Sequence, residues 1–161
     1  MLPERTLTQV IGGRGRTHYA APTARDSHGT SMVDRKLVLV VDDDLSTLKG
    51  LGRLLAQYGY QTSLFESADA FEAYAEFEQA VCIVLDINLN GSSGIELRRR
   101  LGERGFALPV IYITANNSDA TRAEAMSSGC AAYLTKPFGG QALISHIEAC
   151  EQAGWSTPGC G

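Results

Sequence analysis

"LVLVVDDDLSTL", residues 37–48, joins five apolar residues to three consecutive carboxylates and then to the start of a helical pattern. An apolar, valine-rich run of this length is a strand buried on both faces. Asp42, Asp43 and Asp44 then crowd at its tip. Like charges that close repel, and desolvating them is costly without a partner. Two readings stay open from this stretch alone: the cluster faces water and caps a helix, or it seats something cationic.

Outward from the strand the pattern alternates. "LSTLKGLGRLLAQY" carries Leu45, Leu48, Leu51, Leu55 and Tyr58 at helical spacing. "YQTSLF" alternates like a half-covered strand, and Ser67 can cap a helix over "ADAFEAYAEFE". "VCIVL" is a second fully apolar strand ending at Asp86, followed by the helix "GIELRRRLGER". "LPVIYIT" is a strand, "SDATRAEAMSSG" a helix capped by Ser118 or Asp119, and "AAYLT" a short strand. "GQALISHIEACEQ" is the last helix, with Leu143, Ile144, Ile147 and Cys150 inward. Five strands alternating with five helices predict an α/β fold with a doubly wound parallel sheet covered by helices on both faces. Residues 1–34 are polar and aperiodic and read as a disordered extension, with Met32 a conceivable later start. Residues 35–152 form the folded domain, and 153–161, with Trp155, form a tail.

Bulk properties bound the function. A hydrophobic fraction of 44% with 20% charged residues is that of an ordinary globular chain. The net charge of -4 argues against DNA binding, and no apolar run is long enough to cross a membrane. Cys82, Cys130, Cys150 and Cys160 lack the spacing of a zinc site, so Cys82 reads as core and the compartment as a reducing cytoplasm. The arginine run 98–100 reads as a solvated face, and His18, His28 and His146 have no partners at metal-ligand spacing.

Ligands of such sheets bind beyond the carboxyl ends of the strands. The polar residues at those ends are Asp42 to Asp44, Asp86, Thr114 and Lys136. If the strand order brings them together, the carboxylates need a hard divalent cation, and Lys136 suits a phosphate. A carboxylate nucleophile, a metal, a lysine and a hydroxyl are the parts needed to phosphorylate an aspartate.

"VVDDD", "IVLDINL", "ITA" and "YLTKPF", in that order, resemble the receiver domain of two-component response regulators over about residues 36–150. "LFESADAFEAYA" and "LPVIYITA" look most like receivers of nitrogen-fixation-type regulators. The resemblance implies a flavodoxin-like strand order 2-1-3-4-5. It implies that Asp86 is the phosphoacceptor. Asp42 and Asp43 would hold Mg2+ (or Mn2+) with Asp86 and the backbone carbonyl of Asn88. Lys136 would pair with the acceptor and then its phosphoryl group, with Pro137 after a cis bond. Thr114, Ala115 and Tyr133 would form the switch, and Asn88 and Asn116 would tune the phosphoryl lifetime. The implied partners are a sensor histidine kinase or histidine phosphotransfer protein and a downstream protein target. A homodimer through the face of the fourth helix, fifth strand and fifth helix is also implied. With no room for an output domain after residue 152, the expectation is a stand-alone regulator in the cytoplasm that is not a turnover enzyme.

Two positions depart from the family pattern. Asn90 stands where proline is usual, and Gly139 and Gly140 open the last helix, which predicts a frayed start. Competing readings are a haloacid-dehalogenase-type phosphatase using Asp42, Asp44, Thr114 and Lys136, and a degenerate receiver serving as a binding scaffold. Asp44 alone reads best as the cap of the first helix.

Overall fold

In a strand, successive side chains point to opposite faces, and the strand of the opening stretch, β3 (Leu37–Val41), uses both. Leu39 and Val41 enter one core with Phe65, Phe71, Leu85 and Leu97. Val38 and Val40 enter a second core with Leu51, Leu55, Val84 and Ile144. Helices must therefore cover both faces, and they do in the computed structural model. It describes residues 36–74 and 80–153 together with the backbone of 8–11 and 16–20.

From β3 the chain enters α1 (Leu45–Gln57), β4 (Gln61–Phe65) and α2 (Ala68–Glu72). Next come β5 (Ala80–Asp86) and a small hairpin of β6 (Asn88–Leu89) and β7 (Ser92–Ser93). α3 (Gly94–Glu103), β8 (Val110–Thr114), α4 (Asp119–Ser127), β9 (Ala132–Thr135) and α5 (Gly140–Gln152) complete the fold. The parallel strands run β4-β3-β5-β8-β9, which is the expected 2-1-3-4-5 order. The order reverses beside β3, so the crevice of the sheet opens at the ends of β3 and β5.

Within residues 1–34, expected as a disordered extension, the described residues are 8–11 and 16–20, and they are extended. Strands β1 (Thr8–Ile11) and β2 (Arg16–Ala20) pair antiparallel with each other, and β2 pairs antiparallel with β4. The sheet thus has seven strands in the order β1-β2-β4-β3-β5-β8-β9. The physical reason is the edge of β4: its unpaired N–H and C=O groups are a template for any nearby extended segment. β4 is more than half-covered, for Thr62, Ser63, Leu64 and Phe65 are all buried, Phe65 in one core and Leu64 in the other. Met32, Phe77, Trp155, Cys160 and the tail from 154 lie outside the described residues.

The helix ends follow the capping expectations. Ser67, Ser93 and Ser118 each accept a backbone N–H of their own helix. Asp44 caps α1, taking the Ser46 N–H at 3.0 Å and the Thr47 hydroxyl at 3.0 Å. α5 begins at Gly140 with no side-chain cap on Gly139. The glycine there answers to packing: a methyl at Gly140 would lie 2.9 Å from Leu54 Cδ1, on the facing α1. Cys82 and Cys150 are buried together between β5 and α5 as free thiols, with Cys82 a core residue as expected.

Gly94 sets how closely α3 approaches the end of β5. A Cβ there would stand 2.2 Å from the carbonyl oxygen of Asp86, and the Gly94 N–H donates to the Ile87 carbonyl at 2.7 Å. Gly94→Ala must push α3 off the strand, so it should destabilise the fold by about 1–3 kcal/mol, the usual cost of overpacking. Chemical denaturation checks this, and an unchanged midpoint would contradict it.

Candidate functional site

Three strand ends build the site. Asp42 follows β3, Asp86 ends β5, and Lys136 follows β9. β3 and β5 are neighbours, with Val41 opposite Leu85, so the two carboxylates stand side by side. Lys136 reaches both. Its Nζ donates to Asp42 Oδ2 at 2.8 Å and to Asp86 Oδ2 at 3.2 Å. Asp42 is 0% exposed and Asp86 4%. Burying two carboxylates this deeply demands a partner, and the ammonium is that partner. The Lys136–Pro137 peptide that starts the next loop is cis, as the resemblance implied.

The remaining valences are filled by backbone. Asp42 Oδ1 accepts the Asp44 N–H at 2.8 Å, and Asp86 Oδ1 accepts the Asn88 N–H at 3.0 Å. Asp43 is half-buried and its Oδ2 accepts the Asn90 N–H at 3.0 Å. Burial pushes the Asp86 carboxyl up to about 6, with the Asp42 charge adding to the rise and the Asn88 N–H and Lys136 opposing it. For Lys136, burial works against the charge. The bond to Asp42 and the charges of Asp42 and Asp86 outweigh it and hold the ammonium above the ordinary lysine range.

One lysine cannot balance three acids. Carboxylate oxygens of Asp42, Asp43 and Asp86 all lie within 4.8 Å of one another. Hard oxygen donors of this charge fit magnesium or manganese, which accept a few carboxylates beside water and phosphate oxygens. Asp44 does not join this group. Both its oxygens are spent on α1, and the Thr47 hydroxyl first, then the Ser46 N–H, hold its carboxyl below the usual range. The phosphatase reading needs Asp44 as an acid facing the site, and the geometry denies it that role.

Thr114 ends β8 and is fully buried. Its hydroxyl donates to the Asn116 carbonyl at 3.1 Å and accepts the Asn116 N–H at 3.0 Å. The Asn88 side-chain amide also donates to it, at 3.3 Å. So Asn88 spans from the end of β5 to Thr114, a contact that sequence spacing does not reveal. Ala115 and Asn116 are exposed in the loop after β8. Tyr133 lies on β9, half-buried, its hydroxyl donating to Asn117 Oδ1 at 3.2 Å. The Arg122 guanidinium stacks 5.2 Å from its ring centre, a favourable cation–π distance. Asn117 and Arg122 carried no signal in the sequence beyond lying near the loop after β8.

Comparison with known proteins agrees with this geometry. The family described as response regulator receiver domain matches residues 38–148. The transcriptional regulatory protein TdiR of Thauera aromatica is 35% identical over 113 residues, 70% of this chain and 49% of its own. The transcriptional regulatory protein FixJ of Rhizobium meliloti (strain 1021) is 33% identical over 111 residues, 69% of this chain and 54% of its own. The chain spans about half the length of the curated relatives it matches. Among solved structures, the response regulator StyR matches with a TM-score of 0.68 at 38% identity, covering 74% of this chain and 60% of that one. FixJ-N matches with a TM-score of 0.67 at 31% identity, covering 73% and 94%.

The raised Asp86 carboxyl has a consequence for stability. Between about pH 4 and 6 the folded state holds a proton that the unfolded chain has released, so this group's contribution falls as pH rises through that window. Asp86→Asn removes the penalty. In metal-free buffer it should raise the Tm by a few degrees (~3–8 °C) at pH 7.5 and by much less at pH 4.5. Paired thermal melts check it, and an equal gain at both pH values would contradict it.

Proposed function

The chain belongs to the response-regulator receiver family, and we propose that it is the phosphoacceptor of a two-component phosphorelay. The observation that supports this most is one lysine bridging two buried strand-end aspartates beside a third. A sensor histidine kinase or histidine phosphotransfer protein presents a phosphohistidine. A carboxylate oxygen of Asp86 forms the new O–P bond as the N–P bond breaks, and the imidazole nitrogen keeps the electron pair. Burial raises the Asp86 carboxyl to about 6 against the pull of the Asn88 N–H and Lys136, so it is ionised for this step at neutral pH. Lys136 then loses part of its carboxylate partner and gains a phosphoryl oxygen, a better match for its compact charge. Asp42, Asp43 and Asp86, with the backbone carbonyl of Asn88, would hold Mg2+ (or Mn2+), which would neutralise phosphoryl charge when bound. The same centre returns the phosphoryl group to water, so the chain is a timed acceptor rather than a turnover enzyme.

The signal leaves through Thr114. Its hydroxyl gives up the Asn116 carbonyl and donates to the phosphoryl oxygen instead, with Ala115 small enough to let the loop approach. Tyr133 leaves its contacts with Asn117 and Arg122 as that loop moves. The surface of α4, β9 and α5 is thereby reset, shifting a two-state equilibrium. Within these residues the output is a surface, so the target is a downstream protein or a second copy docking on that face. The net charge of -4 supports a protein partner over direct DNA contact by these residues. TdiR and FixJ are named as transcriptional regulators, so that partner belongs to gene control in the simplest case. No helix among the described residues is long and apolar enough to cross a membrane, and we place the exchange in the cytoplasm.

Acetyl phosphate with Mg2+ should label the wild type, and Asp86→Asn should abolish the label. Lys136→Ala should lower labelling, because it leaves Asp42 and Asp86 facing each other without their cation. Phosphotransfer profiling against histidine kinases then identifies the donor. A variant lacking Asp86 that labels as well as wild type would overturn the assignment.

A further inference from the structure

Of the three acids, Lys136 serves only two. It bonds Asp42 and Asp86, and among the described residues the hydrogen bond given to Asp43 comes from the backbone N–H of Asn90, at 3.0 Å. Asp43 sits within reach of two other carboxylates. Without a donor, that repulsion would turn its side chain out to water. We infer that Asn90 is a positioning residue for the cation seat, acting on Asp43 through its main-chain N–H. The inference rests on the acceptor reading above.

The turn explains why this position can give an N–H. β6 and β7 pair Leu89 with Ser92, leaving Asn90 and Gly91 as the two turn residues. Gly91 has φ +81, while Asn90 has a negative φ. A positive φ at the third position and a negative one at the second is the turn geometry that also welcomes proline second. Proline would keep the turn but has no N–H. Asparagine at the same place keeps the turn and adds a donor aimed at Asp43. The bond takes Oδ2, and among the described residues no hydrogen bond is given to the other oxygen, which can turn to a cation. Asp43 is thus held facing inward before the cation arrives, so less ordering remains to be done on binding.

The test compares two substitutions in the full chain by calorimetric titration with Mg2+. Asn90→Ala keeps the N–H and should bind Mg2+ like wild type. Asn90→Pro loses the N–H, and its Kd should rise roughly three- to tenfold, as for one partly exposed charge-assisted hydrogen bond. Equal affinity for Asn90→Pro and wild type, or an equal loss in Asn90→Ala, overturns the inference. A second readout does not depend on Asn90→Pro folding. In metal-free protein the Asn90 amide proton should move upfield in Asp43→Ala, and an unmoved resonance overturns the inference. If wild type and Asp43→Asn take up Mg2+ equally, the cation seat itself is wrong and the acceptor reading falls with it.

Discussion

A single ammonium group holds the architecture of this site together. Lys136 Nζ lies between Asp42 and Asp86, two carboxylates that the sheet buries almost completely. Without it, their mutual repulsion and desolvation would force one to take up a proton. With it, the rise of the Asp86 carboxyl, driven by burial and then by the Asp42 charge, stops at about 6. That balance makes the centre responsive. In the proposed role, a phosphoryl group on Asp86 would change what Lys136 faces, and the loop joining β9 to α5 would feel that change. The Lys136 N–H also donates to the Thr114 carbonyl at 2.8 Å, so Lys136 and Thr114 share a backbone contact.

The fold supplies the rigidity this requires. Asp42 and Asp86 stand at the ends of the two central strands, each buried on both faces. The strands carry the charges to one edge, and the helices start immediately behind them with their own caps. Crowding at the tip of β3 therefore resolves into separate tasks. Asp42 pairs with the lysine, Asp43 faces the cation seat under the Asn90 N–H, and Asp44 starts α1.

Much of this was legible in the sequence because the signals were local and strong. "LVLVV", "VCIVL" and "LPVIYIT" are apolar enough to demand a sheet covered on both faces, and each ends in a polar residue with no role in the core. The rule that ligands bind beyond the carboxyl ends then collects Asp42, Asp86, Thr114 and Lys136. What was not legible depends on contacts between distant segments. "TQVI" and "RTHYA" are too short to announce strands; β2 pairs with the open edge of β4, and β1 with β2. Gly140 looked like a weak helix start, and Gly139 indeed gives no side-chain cap, but the closeness of Leu54 on α1 could not be read from the sequence. Asn90 showed in the sequence as a lost proline. That the change restores an N–H, and that the N–H meets Asp43, is a tertiary fact. The same holds for the Asn88 amide on Thr114 and for Arg122 on Tyr133.

The central claim is that one carboxylate among these neighbours is the one that takes the phosphoryl group. Chemical mapping tests it without altering the protein. Wild type is incubated with acetyl phosphate and Mg2+, the acyl phosphate is reduced with borohydride, and the peptides are sequenced by mass spectrometry. The account predicts homoserine at position 86 alone. Homoserine at position 42 or 43, or none at any of them, would contradict it.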